Sequence, residues 1–405
     1  MHIDYHQAHL TYCSNIHPGE SWEKTFANLR DYTSKIKDEL KQKSFGIGLR
    51  LSHEASIELA KPHHLEEFKL WLDRSNMYVF TINGFPYGGF HHQVVKDQVH
   101  FPDWSTPERL EYTLRLFDIL KVLLPPGLDG GVSTSPISYR FWHKAPAGIE
   151  ALEKVACQSM IQVALHLHAI KKATGQSLHL DIEPEPDGVM ETSTEFVDFY
   201  QNYLLREGKQ FLREKLDIND AEADSIIKEH IQLCYDVCHF AVGFEEPEEA
   251  LEKIEKAGIK IGRIQISAAL SSGFVHGNEN QSQVIEELRQ FDEPVYLHQA
   301  VIRDSDGILS RYPDLFPALE AWKDKDQPSE LRTHFHVPIF TEKYGRLVPT
   351  QKDIAKVLRI WKTKNFTNHL EVETYTWDVL PEEMRKDIVK SVTRELQWVL
   401  DTLAE

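Results

Sequence analysis

Cys234-Tyr-Asp236-Val-Cys-His239 decides how this chain is read. It ends a short apolar run. It follows Leu178-His-Leu-Asp-Ile-Glu183-Pro-Glu185 and precedes Arg263-Ile-Gln265-Ile-Ser267, and each of those runs also ends on a polar residue. Helix-like stretches separate the three. A carboxylate, then an Asp-x-x-His, then an amide, each carried by a successive strand end, implies parallel strands joined by helical crossovers. A last strand-like run, His369-Leu-Glu371-Val-Glu373-Thr-Tyr, adds two more carboxylates.

Working outward, the same alternation fills the chain. Leu10-Thr-Tyr-Cys-Ser-Asn15, Phe45-Gly-Ile-Gly-Leu-Arg-Leu51, Met77-Tyr-Val-Phe-Thr-Ile82 and Gly131-Val-Ser-Thr-Ser135 read as the first four strands. Apolar residues at helical spacing lie between them, such as Leu110, Leu114, Phe117 and Leu120 behind Thr106-Pro107. The eight units predict an α/β (β/α)8 TIM barrel, a single domain over residues 1–405. The stretch between Ser267 and His369 is longer than one unit needs. Residues 271–340 therefore read as an insertion. In it, Val295-Tyr-Leu-His298-Gln-Ala-Val and Thr333-His-Phe-His336-Val form a pair of strands that covers the carboxyl face of the barrel.

Composition narrows the function. The chain has 405 residues, 41% hydrophobic and 27% charged, with a formal net charge of -18. Such an acidic balance argues against nucleic acid or an anionic membrane as partner. No run of roughly 18 apolar residues suggests a membrane span. The N-terminus lacks the basic and apolar regions of a signal peptide. Cys13, Cys157, Cys234 and Cys238 form no Cys-x-x-Cys pair, and they read as reduced thiols in a cytoplasmic protein. No glycine-rich phosphate loop and no Gly-x-Ser-x-Gly elbow occurs. The expected partner is a small-molecule metabolite, with room left for a homo-oligomer.

In a barrel, carboxyl strand ends face one bowl. Glu183, Asp236, Gln265 and Glu373 all fall at such ends. Three carboxylates and one amide oxygen suit Mn²⁺ or Mg²⁺ first, then Co²⁺, Fe²⁺ or Zn²⁺. Glu185 and Glu371 are rivals. Glu373 is preferred because it lies nearer the strand's carboxyl end, and Glu183 because it ends its apolar run directly. Asn15, His17 and Asn83 end the first and third strands and are candidate substrate contacts. His298, His334 and His336 lie in the insertion; His334 and His336 share one strand face. They are candidates for substrate contact or a second metal.

Glu183-Pro184, Asp236-Val-Cys-His239, Ile264-Gln265-Ile266 and Glu373 resemble the xylose isomerase-like TIM-barrel superfamily. The resemblance implies a metal held by Glu183, Asp236, Gln265 and Glu373. It also implies that Glu183 and Glu373 act as acid and base, and that His239 touches substrate or orients Asp236. More narrowly, Tyr12-Cys-Ser-Asn-Ile-His17-Pro-Gly-Glu-Ser-Trp22 and Glu371-Val-Glu-Thr-Tyr-Thr-Trp377 look like the EboE group of metabolite traffic proteins. Two functions are therefore expected of such a site: a metal-dependent sugar or hydroxy-ketone isomerase or epimerase, and a non-catalytic metabolite carrier on the same barrel.

Overall fold

The structure is a computed structural model that describes residues 1–276, 278–323, 328–382, 385 and 387–405, with the side chains of residues 278 and 279 left out. Eight parallel strands form the first sheet: β1 (His9–Tyr12), β2 (Phe45–Arg50), β3 (Met77–Asn83), β4 (Gly130–Thr134), β5 (Leu178–Ile182), β6 (Ile231–Asp236), β7 (Ile261–Ile266) and, after an interruption, β13 (His369–Val372). Their order is β1-β13-β7-β6-β5-β4-β3-β2. A parallel bridge from Cys13 to Gly48 brings β1 to β2, so the barrel nearly closes. The Thr11 hydroxyl seals this seam, donating to the Gly46 carbonyl at 2.7 Å and accepting from the Gly48 amide at 3.0 Å.

Buried on both sides, these strands are near-continuous apolar runs on the outside. Inside, the barrel departs from the usual aliphatic filling. Arg263 on β7 is fully buried and donates to Asp181 on β5 and Glu371 on β13, both at 3.0 Å. Its remaining reach goes to the Ile82 carbonyl. This ionic layer needs space. A Cβ at Gly48 would stand 2.1 Å from Glu371 Oε1, and one at Gly262 would stand 1.8 Å from Asp181 Oδ1. Both positions therefore require glycine.

The segment after β7 builds more than the expected pair of strands. It forms a five-stranded antiparallel sheet in the order β10-β9-β11-β8-β12, from β8 (Leu270–Val275), β9 (Ala300–Asp304), β10 (Leu309–Tyr312), β11 (Ser329–Thr333) and β12 (Val348–Pro349). Helices Asn278–Leu288 and Leu315–Lys323 accompany it. The expected strands are displaced. Residues 295–299 precede β9, and residues 334–337 follow β11 as an extended segment. That segment leaves the ladder because its amides bond elsewhere, His334 to the Gln299 carbonyl and Val337 to the Ala268 carbonyl. A contiguous apolar core runs from the barrel helices into this sheet through Leu270, Ile302 and Leu331. The four cysteines are free and buried. Among the described residues, no helix is long and apolar enough to cross a membrane.

The closing helix, Ile388–Ala404, carries one buried acid. Glu395 accepts from the Ile339 amide at 3.2 Å and the Thr374 hydroxyl at 2.7 Å, fastening the segment beside Glu373. Burial pushes its carboxyl up to about 7. A folded pKa above the unfolded one means that the folded state holds the extra proton. Stability therefore falls as pH rises from the ordinary carboxylate range through about 7. Glu395→Gln keeps both acceptor contacts and removes the charge. It is expected to match the wild type near pH 5 and to be more stable near pH 8 by about 2–3 kcal/mol. Urea unfolding at the two pH values checks this; equal stability of the two proteins at pH 8 would refute it.

Candidate metal centre

The Asp236-x-x-His239 spacing is a helix start. Asp236 is the last residue of β6 and caps the helix Val237–Val242, accepting from the His239 amide at 3.1 Å. The Ser267 hydroxyl donates to the same oxygen at 2.7 Å. Both bonds favour the anion. They leave Oδ2 buried and without a hydrogen-bond partner among the described residues. That free oxygen lies 3.9 Å from His239 Nε2. One oxygen from each of Glu183, Asp236 and Glu373 lies within 4.8 Å of the others, and all three residues are buried.

Three converging carboxylates repel one another. Burial, with the neighbouring carboxylates added, raises Glu183 well above the usual range, and the same causes raise Glu373. Two amides steady Glu373: Asn15 Nδ2 at the end of the first strand donates to Oε1 at 2.8 Å, and Asn83 Nδ2 at the end of β3 donates at 3.0 Å. The rival Glu371 is spent on Arg263, one layer below. Alternation along β13 puts Glu371 and Glu373 on the same side, two residues apart, and so in different layers.

Three histidines stand beside the carboxylates. His239 Nδ1 donates to the Pro184 carbonyl at 2.9 Å, His334 Nδ1 to Gln299 Oε1 at 2.8 Å, and His336 Nδ1 to the Glu373 carbonyl at 3.1 Å. Gln299 is itself oriented, because its Nε2 donates to the Pro186 carbonyl. With protons on Nδ1, the neutral rings present bare Nε2 atoms. His334 Nε2 lies 3.2 Å from both His239 Nε2 and His336 Nε2. The Tyr375 hydroxyl, 3.2 Å from His334 Nε2, is in reach to donate to one of these lone pairs; the others are open to a cation or a shared proton. Asp236, His239 and His336 form a second group of donors within 4.8 Å, and Glu185, His239 and His334 a third.

Other expected residues are placed differently. Gln265 pairs in register with Asp236 and Glu371, but its Oε1 accepts from the Cys234 thiol at 2.8 Å. Its Nε2 is buried and unpaired among the described residues; turning the amide over exchanges the two atoms. His17 does not reach the bowl. Its Nε2 meets the Tyr12 hydroxyl at 3.0 Å, and its ring stacks on Tyr32. His298 is also held back: Nδ1 bonds the His334 carbonyl and Nε2 bonds Glu293, so the ring braces the segment that carries His334. Glu185, a rival ligand, and His334, a candidate contact, line the cavity, and so does Tyr375, which sequence reasoning did not single out. The signals were present: His334-Phe-His336 alternates on one face, and Tyr375 follows Glu373 by two. The cavity itself holds about 50 Å³, and Phe90 and Tyr296 narrow it from the rim. That is room for a few water-sized groups.

No protein-family model matches the sequence, and no curated protein does. Solved structures match. A xylose isomerase-like TIM-barrel protein from Mycobacterium smegmatis, in complex with magnesium, aligns with a TM-score of 0.50 at 12% identity, over 98% of this chain and 97% of that one. A D-tagatose 3-epimerase-like protein aligns at TM-score 0.48 and 10% identity, and the IOLI protein with a zinc atom at 0.48 and 12%, each over 98% of both chains. The fold is the xylose isomerase-like form of the TIM barrel.

Proposed function

We propose that the chain holds a divalent ion among Glu183, Asp236 and Glu373, with Gln265 as a further oxygen donor, and isomerises or epimerises a small hydroxy-carbonyl metabolite. The observation that carries this is the convergence of three buried carboxylates, two of which, Glu183 and Glu373, line one small cavity. Mn²⁺ or Mg²⁺ suits the oxygens; the imidazoles alongside widen the choice to Co²⁺, Fe²⁺ or Zn²⁺. When bound, the ion supplies Lewis acidity for negative charge developing on substrate oxygens. Glu183 and Glu373 line the cavity, so each is placed to take a proton from carbon and return it. Asn15 and Asn83 aim Glu373. Tyr296, Phe90 and Tyr375 exclude water around the reacting carbons. The EboE resemblance adds a setting, secondary-metabolite traffic in the cytoplasm, in which such a metabolite is modified.

The test is proton exchange. The protein with Mn²⁺ is incubated with a panel of ketoses and hydroxy-ketones in D₂O, and deuterium beside the carbonyl is followed by NMR. Exchange is expected with the wild type and about 100-fold slower with Glu373→Gln. Tight binding of a panel member with no exchange would replace this reading by the carrier.

A further inference from the structure

The geometry points to a second metal site, for Zn²⁺, at the opposite end of the barrel, formed by Asp129, His179 and His369. These residues sit at amino ends of strands: Asp129 just before β4, His179 within β5, and His369 opening β13. A nitrogen of each ring and a carboxylate oxygen of Asp129 lie within 4.8 Å of one another. Asp129 Oδ1 is 3.4 Å from His369 Nε2, and Oδ2 is 3.7 Å from His179 Nε2. Tetrahedral zinc with bonds of about 2.0–2.1 Å places its ligands about 3.3 Å apart, so the three donors, within 4.8 Å of one another, close in on the ion to complete the set. Two imidazoles and one carboxylate are a zinc donor set that leaves a fourth position for water.

Two independent features aim these side chains at an ion. His369 is 1% exposed, yet neither of its ring nitrogens hydrogen-bonds a described residue. A buried imidazole whose nearest polar contact is the 3.4 Å approach of Asp129 to Nε2 is poorly satisfied, and a metal at Nε2 removes that cost. His179 is oriented from behind: its Nδ1 bonds Asp181 Oδ1 at 2.5 Å, and Asp181 is in turn held by Arg263. A carboxylate on the far nitrogen is how metal-ligating histidines are fixed in tautomer and direction. Asp129 is the doorway. Its side chain is 39% exposed and lines a surface depression beside Pro126–Leu128 and Thr174–Ser177. In the sheet, β6 and β7 stand between β5 and β13. An ion here clamps non-adjacent staves across the barrel floor, far from the mouth, and its role is structural.

The experiment uses zinc alone as probe. Full-length wild type, Asp129→Ala, His369→Gln and Asp236→Ala are saturated with Zn²⁺, dialysed and assayed for bound metal. Co²⁺-loaded samples are compared by visible absorption, which reports tetrahedral ligation. One equivalent of zinc and a tetrahedral cobalt band are expected to vanish from Asp129→Ala and His369→Gln and to persist in Asp236→Ala. If His369→Gln fails to fold, Asp129→Ala decides alone, since that side chain is half out in solvent. Equal zinc in Asp129→Ala and wild type would overturn the site and leave Asp129 as an ion-pair partner of His179. Loss of all zinc in Asp236→Ala would also overturn it. Failure of the proposed metal centre at the mouth shows instead in Asp236→Ala holding as much metal as wild type, so the two outcomes are separable.

Discussion

Asp236→Ala is expected to purify folded and without its mouth metal. The fold survives because the apolar core does not include this side chain. Losing the cap on Val237–Val242 costs about 0.5–2 kcal/mol. Removing one of three crowded carboxylates offsets part of that. Metal affinity is expected to fall by more than about 100-fold, beyond the 10–100-fold lost with an outer-shell partner. Proton exchange should drop by about a thousandfold or more, since the ion's charge stabilisation is worth several kcal/mol. Asp236→Asn separates charge from capping: it keeps the acceptor for the His239 amide and the Ser267 hydroxyl, yet loses most of the metal. Elemental analysis of the three proteins after Mn²⁺ loading measures this. Full metal content in Asp236→Ala would show that Asp236 is not a ligand.

Arg263→Met should be the most damaging single change to stability. It removes the guanidinium that Asp181 and Glu371 share and leaves both carboxylates at the barrel's centre. Breaking a buried ion pair from one side costs about 3–5 kcal/mol, a large share of the 5–15 kcal/mol of a folded domain. The loss comes from the stranded acids more than from the missing bonds. Adding Glu371→Gln to Arg263→Met should therefore recover part of it, since one uncompensated charge is gone. Asp181 keeps His179 as a partner in both variants. Urea denaturation of the wild type, the single and the double variant tests the claim. A loss below about 1 kcal/mol in Arg263→Met would mean that water or proton uptake already screens this layer.

The identity and order of the eight barrel strands followed from the sequence alone. Apolar runs of four to seven residues, each ending on a polar residue and separated by helical periodicity, specify parallel strands and crossovers through local chemistry. Glu183, Asp236 and Glu373 were legible for the same reason, because a strand's carboxyl end is a sequence position. Tertiary structure alone decided what depends on contacts between distant segments. It paired Asn15 and Asn83 with Glu373, although both read as substrate contacts. It turned His17 onto Tyr32 and His298 onto Glu293. It brought His334 to within 3.2 Å of His239, 95 positions away in the chain. It also joined Asp129, His179 and His369 across the barrel floor. Hydrophobic periodicity encodes which face of an element is buried, but carries no information on which buried polar groups meet. Their meeting is set by register, barrel closure and the path of the segment after β7.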